Sequence, residues 1–197
     1  MLELILIRHG ETDSNIRHAY CGWTDAALND NGKAQAGRAA DRLKDVKADF
    51  VYSSPLKRTL ETASIITGGS AADIITDDRL NEQNFGEWED LTYEEITCKD
   101  PEECLKWRAD WANYCMKSGE SPAQMYKRVT EFIDGLIARH HSSSVFVVTH
   151  LGCIRMMLAY LLGMPFEGLW RFRVDNCGIS RVMINDEKFA YLQGLNC

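Results

Sequence analysis

Four separated stretches of this 197-residue chain carry side chains suited to handling an anion. The first is Arg8-His9-Gly10-Glu11-Thr12, which follows directly on the apolar run Leu2-Glu3-Leu4-Ile5-Leu6-Ile7. A guanidinium offers a planar fork to an oxyanion, and a neutral imidazole offers a nucleophile or a base. The second is His150, which ends another apolar run, Ser144-Val145-Phe146-Val147-Val148-Thr149. The third is Lys57-Arg58, just after Ser54-Pro55, a pair that reads as the N-cap and first residue of a helix. Cations in a first helical turn are locally unfavourable, because the macrodipole is already positive there. An anion would offset that repulsion and take the free backbone N–H groups. The fourth is Glu82, a candidate general acid in the loop Leu80-Asn81-Glu82-Gln83-Asn84-Phe85-Gly86-Glu87-Trp88. Taken singly, each has a plain reading: a charge leaving the core, a core histidine, a solvated cation pair, a solvated carboxylate.

The elements that must position these groups alternate between strand and helix. The runs at 2–7 and 144–149 are short, continuous and apolar, the pattern of strands buried on both faces. If they are neighbours in a parallel sheet, His9 and His150 meet beyond its carboxyl edge, where ligands of open α/β sheets gather. Gly10 would let the backbone turn sharply or approach a ligand closely. Residues 13–28 read as a loop holding Asn15, Tyr20, Cys21, Gly22 and Trp23, and Asn29 caps a helix over 30–46 with a narrow alanine face. A strand at 50–53, a helix from Ser54-Pro55 to Gly68-Gly69 and a short strand near 74–76 follow. Thr92-x-x-Glu95, Asp100-Pro101-x-Glu103 and Ser121-Pro122-x-Gln124 each open a helix. Trp107, Arg108, Trp111 and Tyr114 fall on the helix expected to roof the site, as an aromatic wall or as core packing. A helix over 154–162 closes at Gly163, and strands at 180–184 and 189–192 form a hairpin at a sheet edge. The pattern is α/β: three layers, a mainly parallel central sheet with helices on both faces, in one domain spanning 1–197.

A net charge of −7 argues against nucleic acid or an anionic membrane as partner. No apolar run is long enough to span a bilayer and no basic leader precedes the first strand, so the cytoplasm is the expected location. Seven cysteines without a C-x-x-C pair suggest free thiols rather than a disulfide framework or zinc site.

Together, Arg8-His9-Gly10-Glu11-Thr12, Ser53-Ser54-Pro55-Leu56-Lys57-Arg58-Thr59, Leu80-x-Glu82 with Phe85-Gly86-x-Trp88-Glu89, and Val147-Val148-Thr149-His150 resemble the histidine phosphatase superfamily. The likeness is to its phosphoglycerate-mutase-like branch and holds in order and spacing over nearly the whole chain. It implies that His9 attacks phosphorus to form a phosphohistidine, that Arg8, Arg58 and His150 hold the phosphoryl oxygens, and that Glu82 protonates the departing alkoxide and then activates water. It implies neither metal nor cofactor, a small phosphorylated metabolite as partner, and a small helical cap at about 86–120. It also implies phosphate contacts from Asn15 and Gly22, with Cys21 and Leu151 at substrate-binding positions.

Three residues depart from the family's pattern. His150-Leu151-Gly152 stands where His-Gly is usual, so Leu151 is expected to disfavour a positive φ and crowd the phosphate. Cys21 replaces the serine or glutamine common there, and Phe85 replaces the mutases' tyrosine. The mutases' basic insertion is absent, which favours a phosphatase. Phe85-Gly86-x-Trp88-Glu89, Trp107, Trp111 and Gly119-Glu120-Ser121 are similar to the α-ribazole phosphatases, which remove a 5′-phosphate in assembly of the cobalamin nucleotide loop. A broad sugar or small-metabolite phosphatase, and an inactive protein that only binds a phosphorylated ligand, are the alternatives. Phe166, Leu169, Trp170 and Phe172 form an apolar cluster that is either a homodimer contact or core.

Overall fold

The computed structural model describes residues 1–69 and 73–197. Its sheet has six strands: β1 (Leu2–Arg8), β2 (Phe50–Ser53), β3 (Ile74–Thr76), β4 (Ser144–Thr149), β5 (Ile179–Ile184) and β6 (Ala190–Gly194). Their order is β3-β2-β4-β1-β5-β6. The first four run parallel, whereas β5 is antiparallel to β1 and β6 completes the expected edge hairpin. Arg8 pairs with Thr149, so the two strands that end in histidine are neighbours in register.

Alternation along the central strands builds both cores. Leu4, Leu6, Val145 and Val147 face one side, against α6 (Pro122–Arg139) and α7 (Leu151–Leu161). Ile5, Ile7, Phe146 and Val148 face the other, against α2 (Asp30–Leu43) and α3 (Lys57–Ile66). Both faces being covered explains why these strands carry no polar alternation. Leu169 and Phe172 belong to the first core, while Trp170 is 59% exposed.

A third cluster, Trp88, Ile96, Cys104 and Met116, lies in the segment between β3 and α6. Around it wrap α4 (Tyr93–Lys99), opened by a Thr92/Glu95 capping box, and α5 (Pro101–Ala109). Ser121 and Gln124 likewise box the start of α6.

Local expectations shift in several places. The 13–28 stretch is not all loop: α1 (Asp13–Ile16) is held by a Thr12/Asn15 capping box. α2 ends at Leu43 rather than 46. α3 starts at Lys57, after Leu56: the Ser54 hydroxyl donates to Asn81 at 2.7 Å and accepts the Leu56 N–H at 3.3 Å, while the first helical amide is taken by Asp25. Asp100 makes no side-chain cap to α5 and accepts from the Trp88 indole at 3.0 Å. α5 stops at Ala109, so Trp111 and Tyr114 lie beyond it, where Asn113 bonds back to the Asp110 carboxylate. Residues Phe166–Arg171 form a 3₁₀ turn that the sequence pattern did not suggest.

Candidate active site

The carboxyl ends of β1 and β4 bring the His9 and His150 rings to 5.2 Å between centroids, edge to face. Each ring's proton is fixed by what its second nitrogen meets. His9 Nδ1 lies 2.7 Å from the Gly10 carbonyl. A carbonyl only accepts, so Nδ1 carries the proton and Nε2 keeps its lone pair. His150 Nδ1 receives the Arg58 Nε–H at 3.2 Å, and a guanidinium only donates. The His150 proton is therefore on Nε2, which is buried without a hydrogen-bond partner among the described residues, as is Arg8 Nε. Two donors that have lost water and gained nothing thus belong to Arg8, the residue before His9, and to His150, whose ring packs against it. Such donors are costly unless an acceptor arrives, and a phosphoryl group brings acceptor oxygens.

Burial holds both histidines well below the usual imidazole range, with the Arg58 guanidinium adding to the shift at each. Neutral imidazole is the folded form at pH 7, whereas an unfolded histidine takes up its proton near pH ~6.5. As pH falls below that value the unfolded state binds protons that the folded state refuses, so stability must fall with it. His9→Asn is accordingly expected to remove about 1.4 kcal/mol per pH unit from the steepness of the stability curve between about pH 6.5 and 5. Urea denaturation at several pH values measures this, and equal slopes in the two proteins would contradict it.

Arg58 is 1% exposed. Besides His150 it donates to the carbonyls of Thr24 at 2.7 Å and Gly22 at 2.6 Å, with a longer contact to Cys21 at 3.4 Å. That carbonyl cradle is itself held from outside, since the Glu89 carboxylate accepts from the backbone N–H groups of Gly22, Trp23 and Thr24. The Gly22 amide is thus committed and does not face the cavity. Its glycine is needed for close packing, because a Cβ would fall 1.8 Å from the Gln83 carbonyl oxygen. The first amide of α3 is committed too: Lys57 N–H donates to Asp25 at 2.7 Å, and the same carboxylate pairs with the Lys57 ammonium at 3.3 Å. An internal aspartate therefore offsets the Lys57 charge and takes the first amide at that helix start. Gly10 is required for a similar reason, its Cβ position lying 2.5 Å from the Gly32 carbonyl oxygen rather than beside a ligand.

Glu82 accepts from the backbone N–H of Gln83 at 3.0 Å and of Gly152 at 2.9 Å. Leu151 is the first residue of α7, after an extended His150, and is not among the residues with positive φ. The expected backbone distortion is absent, because the helix starts at once and needs no left-handed residue there. Arg8, His9, Glu82, Asn15, Cys21 and Leu151 all line a cavity of about 290 Å³; Arg58, His150 and Gly22 are not among its lining residues, although the His150 ring packs against His9, which is. Burial pushes the Cys21 thiol up, so it stays protonated beside the imidazole. The cavity is also walled by Tyr20, Phe85, Trp107, Trp111 and Trp170. Trp111 stacks on Phe166 at 5.2 Å, and Trp107 packs edge-on to Tyr20 and Trp88. Tyr114 instead stacks on Trp88 and Arg108 lies over Tyr93, neither of them on the cavity wall.

Arg155, which the sequence reading passed over, lines the same cavity with its guanidinium 5.7 Å from the Trp170 ring centroid. Its one signal was a lone cation within the otherwise apolar run 153–162. Among the described residues no group of three or more His, Cys, Asp or Glu side chains is placed to hold a metal ion, and no helix is long and apolar enough to cross a membrane.

Comparison with known proteins agrees with this geometry. The chain is 35% identical to phosphoserine phosphatase 1 of Hydrogenobacter thermophilus, covering 98% of this chain and 92% of that protein. It is also 35% identical to the adenosylcobalamin/α-ribazole phosphatase of Escherichia coli K12, covering 99% and 96%. The crystal structure of the α-ribazole phosphatase from Shigella flexneri superposes with a TM-score of 0.94 at 35% identity, over 99% of this chain and 96% of that one. Residues 4–196 match the family model described as histidine phosphatase superfamily, branch 1. Paired histidines on adjacent strands, with a carboxylate and guanidinium groups around them, are what that match predicts, and this chain belongs to the histidine phosphatase superfamily and is a phosphatase.

Proposed function

We propose that the protein hydrolyses a phosphomonoester whose organic half carries a flat heteroaromatic base, with α-ribazole 5′-phosphate as the best-fitting substrate. The reaction centre is supported by one observation above the others: Arg8, next to His9 in the chain, and His150, whose ring packs against His9, each keep a buried donor without a partner among the described residues, Arg8 Nε and His150 Nε2. His9 Nε2 attacks phosphorus as the ester P–O bond breaks, and the departing alkoxide takes its proton from Glu82. Arg8 and His150 donate to the phosphoryl oxygens while Arg58 fixes the His150 tautomer, so charge is stabilised by groups already oriented. The Glu82 carboxylate then removes a proton from water, which attacks phosphorus and returns His9 and inorganic phosphate. Asn15, Cys21 and Leu151 border the bound substrate, and the 86–120 segment serves as a cap within a single 1–197 domain. Each step uses protein side chains alone.

The aromatic wall supports the choice of substrate. Five aromatic side chains line the cavity, a surface suited to stacking on a base and ill suited to the carboxylate of phosphoserine. Arg155 favours a second reading, a small acidic phosphomonoester, since this cation forms no salt bridge among the described residues and can meet a carboxylate.

Phosphate release in EDTA from α-ribazole 5′-phosphate, phosphoserine, 3-phosphoglycerate and simple sugar phosphates separates the two. The ribazole ester is expected to show the highest kcat/KM. Replacing both Trp107 and Trp111 by leucine should raise its KM by about tenfold or more, from lost stacking of ~0.5–1.5 kcal/mol per ring pair, and leave sugar phosphates little changed. Equal losses on all esters would mean that the two rings only pack the cap, and a preference for phosphoserine would support the second reading.

A further inference from the structure

Arg128, on α6, does not line the cavity, yet it touches much of the backbone around Glu82. Its side chain is 17% exposed and forms a bidentate pair with Glu120, Nε to Oε2 at 3.0 Å and a terminal nitrogen to Oε1 at 2.5 Å. The remaining donors go to carbonyls: one terminal nitrogen to Arg79 at 2.8 Å and Asn81 at 2.6 Å, the other to Glu82 itself at 2.9 Å. Glu120 completes the clamp from its own side. Its carboxylate accepts from the Asn84 N–H and its carbonyl accepts from the Gln83 side-chain amide, both at 3.0 Å. The carbonyls of Arg79, Asn81 and Glu82 and the Asn84 N–H therefore all meet this one ion pair, while Thr149 donates to the Leu80 carbonyl, Cys153 to Asn81 and the Trp23 indole to Glu82.

We propose that Arg128 is a positioning residue for proton transfer by Glu82, with Glu120 holding its guanidinium in place. The proposal rests on the reading of Glu82 as general acid. The segment it braces is a 3₁₀ turn followed by irregular chain, with few hydrogen bonds of its own. Its inward carbonyls need donors, and guanidinium is the side chain able to serve three carbonyls and a carboxylate from one plane. Lysine keeps the charge but loses the fork. Nucleophilic attack depends on β1, β4 and Arg58, to which Arg128 makes no hydrogen bond, and Arg128→Lys keeps the charge that reaches His150, so this change should disturb the protonation step selectively. General acid catalysis is worth about 10²–10⁴-fold and falls away with small misplacement of the acid.

The test compares kcat/KM on two esters, an alkyl phosphate, whose leaving oxygen needs a proton, and p-nitrophenyl phosphate, whose leaving group needs little help. Wild type, Arg128→Lys, Glu120→Gln and Glu82→Gln are measured side by side. Arg128→Lys is expected to lose about 30-fold or more on the alkyl ester and less than about threefold on the aryl ester. Glu82→Gln should show the same selectivity more strongly, and Glu120→Gln more weakly. Equal losses on both esters for Arg128→Lys, beside a selective Glu82→Gln, would overturn the proposal and leave Arg128 a structural residue. A non-selective Glu82→Gln would instead overturn the general-acid reading beneath it. Should Arg128→Lys not fold, Glu120→Gln carries the same comparison, and equal losses there would likewise overturn the proposal.

Discussion

His9→Ala is expected to lower kcat by at least about 10⁴-fold on every ester while leaving the protein able to bind inorganic phosphate or vanadate. Loss of a nucleophile removes the covalent route entirely, and enzymes that lose theirs fall by several orders of magnitude. Anion affinity has a different source. Arg8 Nε and His150 Nε2, buried donors without partners among the described residues, remain in the variant. Isothermal titration should therefore give a phosphate Kd within about tenfold of wild type, a change worth ~1.4 kcal/mol. In wild type, quenched turnover should trap phosphate on protein in an acid-labile linkage, and the variant should trap none. Cys21 is the other soft nucleophile on the cavity wall, but burial keeps its thiol protonated. Cys21→Ser is accordingly expected to retain its phosphoenzyme. Residual His9→Ala turnover above a few per cent, or a trapped phosphate linkage lost in Cys21→Ser, would move the nucleophile away from His9.

How much of this was legible in the sequence depended on how far each residue's partner lies along the chain. Strands β1 and β4 were readable because continuous apolar runs ending in histidine leave little choice of burial or direction. The capping boxes at Thr92 and Ser121 were readable because both partners sit within one turn. Gly22 was misplaced because its amide is claimed by Glu89, 67 positions away. The start of α3 was misjudged for a similar reason, since its first amide is capped by Asp25 from 32 positions upstream. Asparagine and aspartate at 113 and 110 close a local turn that ends α5 early, and side-chain bonding of this kind competes with helix without changing the hydrophobic spacing. The tautomers of His9 and His150 were beyond the sequence altogether. They follow from one carbonyl and one guanidinium that only the folded chain brings to the rings. Arg155 left a faint signal, and Arg128 none, because what marks it is the set of carbonyls it meets.

The position of glycine after His150 carries the second large effect. Gly152 donates its N–H to Glu82 Oε2 at 2.9 Å, and a Cβ built on it would fall 2.3 Å from Glu82 Oε1. The carboxyl ends a flexible side chain, so in Gly152→Ala it is the group that must give way. Met125 crowds the same Cβ position, its terminal carbon lying 3.1 Å away, so this flexible side chain must also give by a few tenths of an ångström. Leu151 does not relieve the constraint, since the usual His-Gly order is here offset by one and the glycine falls where the acid sits. Displacement by about 1 Å is enough to cost ~10²-fold in a reaction that depends on near-attack geometry. Gly152→Ala is therefore expected to lower kcat/KM on an alkyl phosphate by about 100-fold, and far less on p-nitrophenyl phosphate. Stability should move the other way, because alanine is better than glycine inside a helix by about 1 kcal/mol, and α7 includes this residue. A thermal melt beside the kinetics distinguishes the two sources of loss. A wild-type or higher Tm with a crippled alkyl-ester reaction places the effect at the Glu82 carboxyl, whereas wild-type kcat/KM on the alkyl ester would show that the acid tolerates the extra methyl and does not depend on that contact.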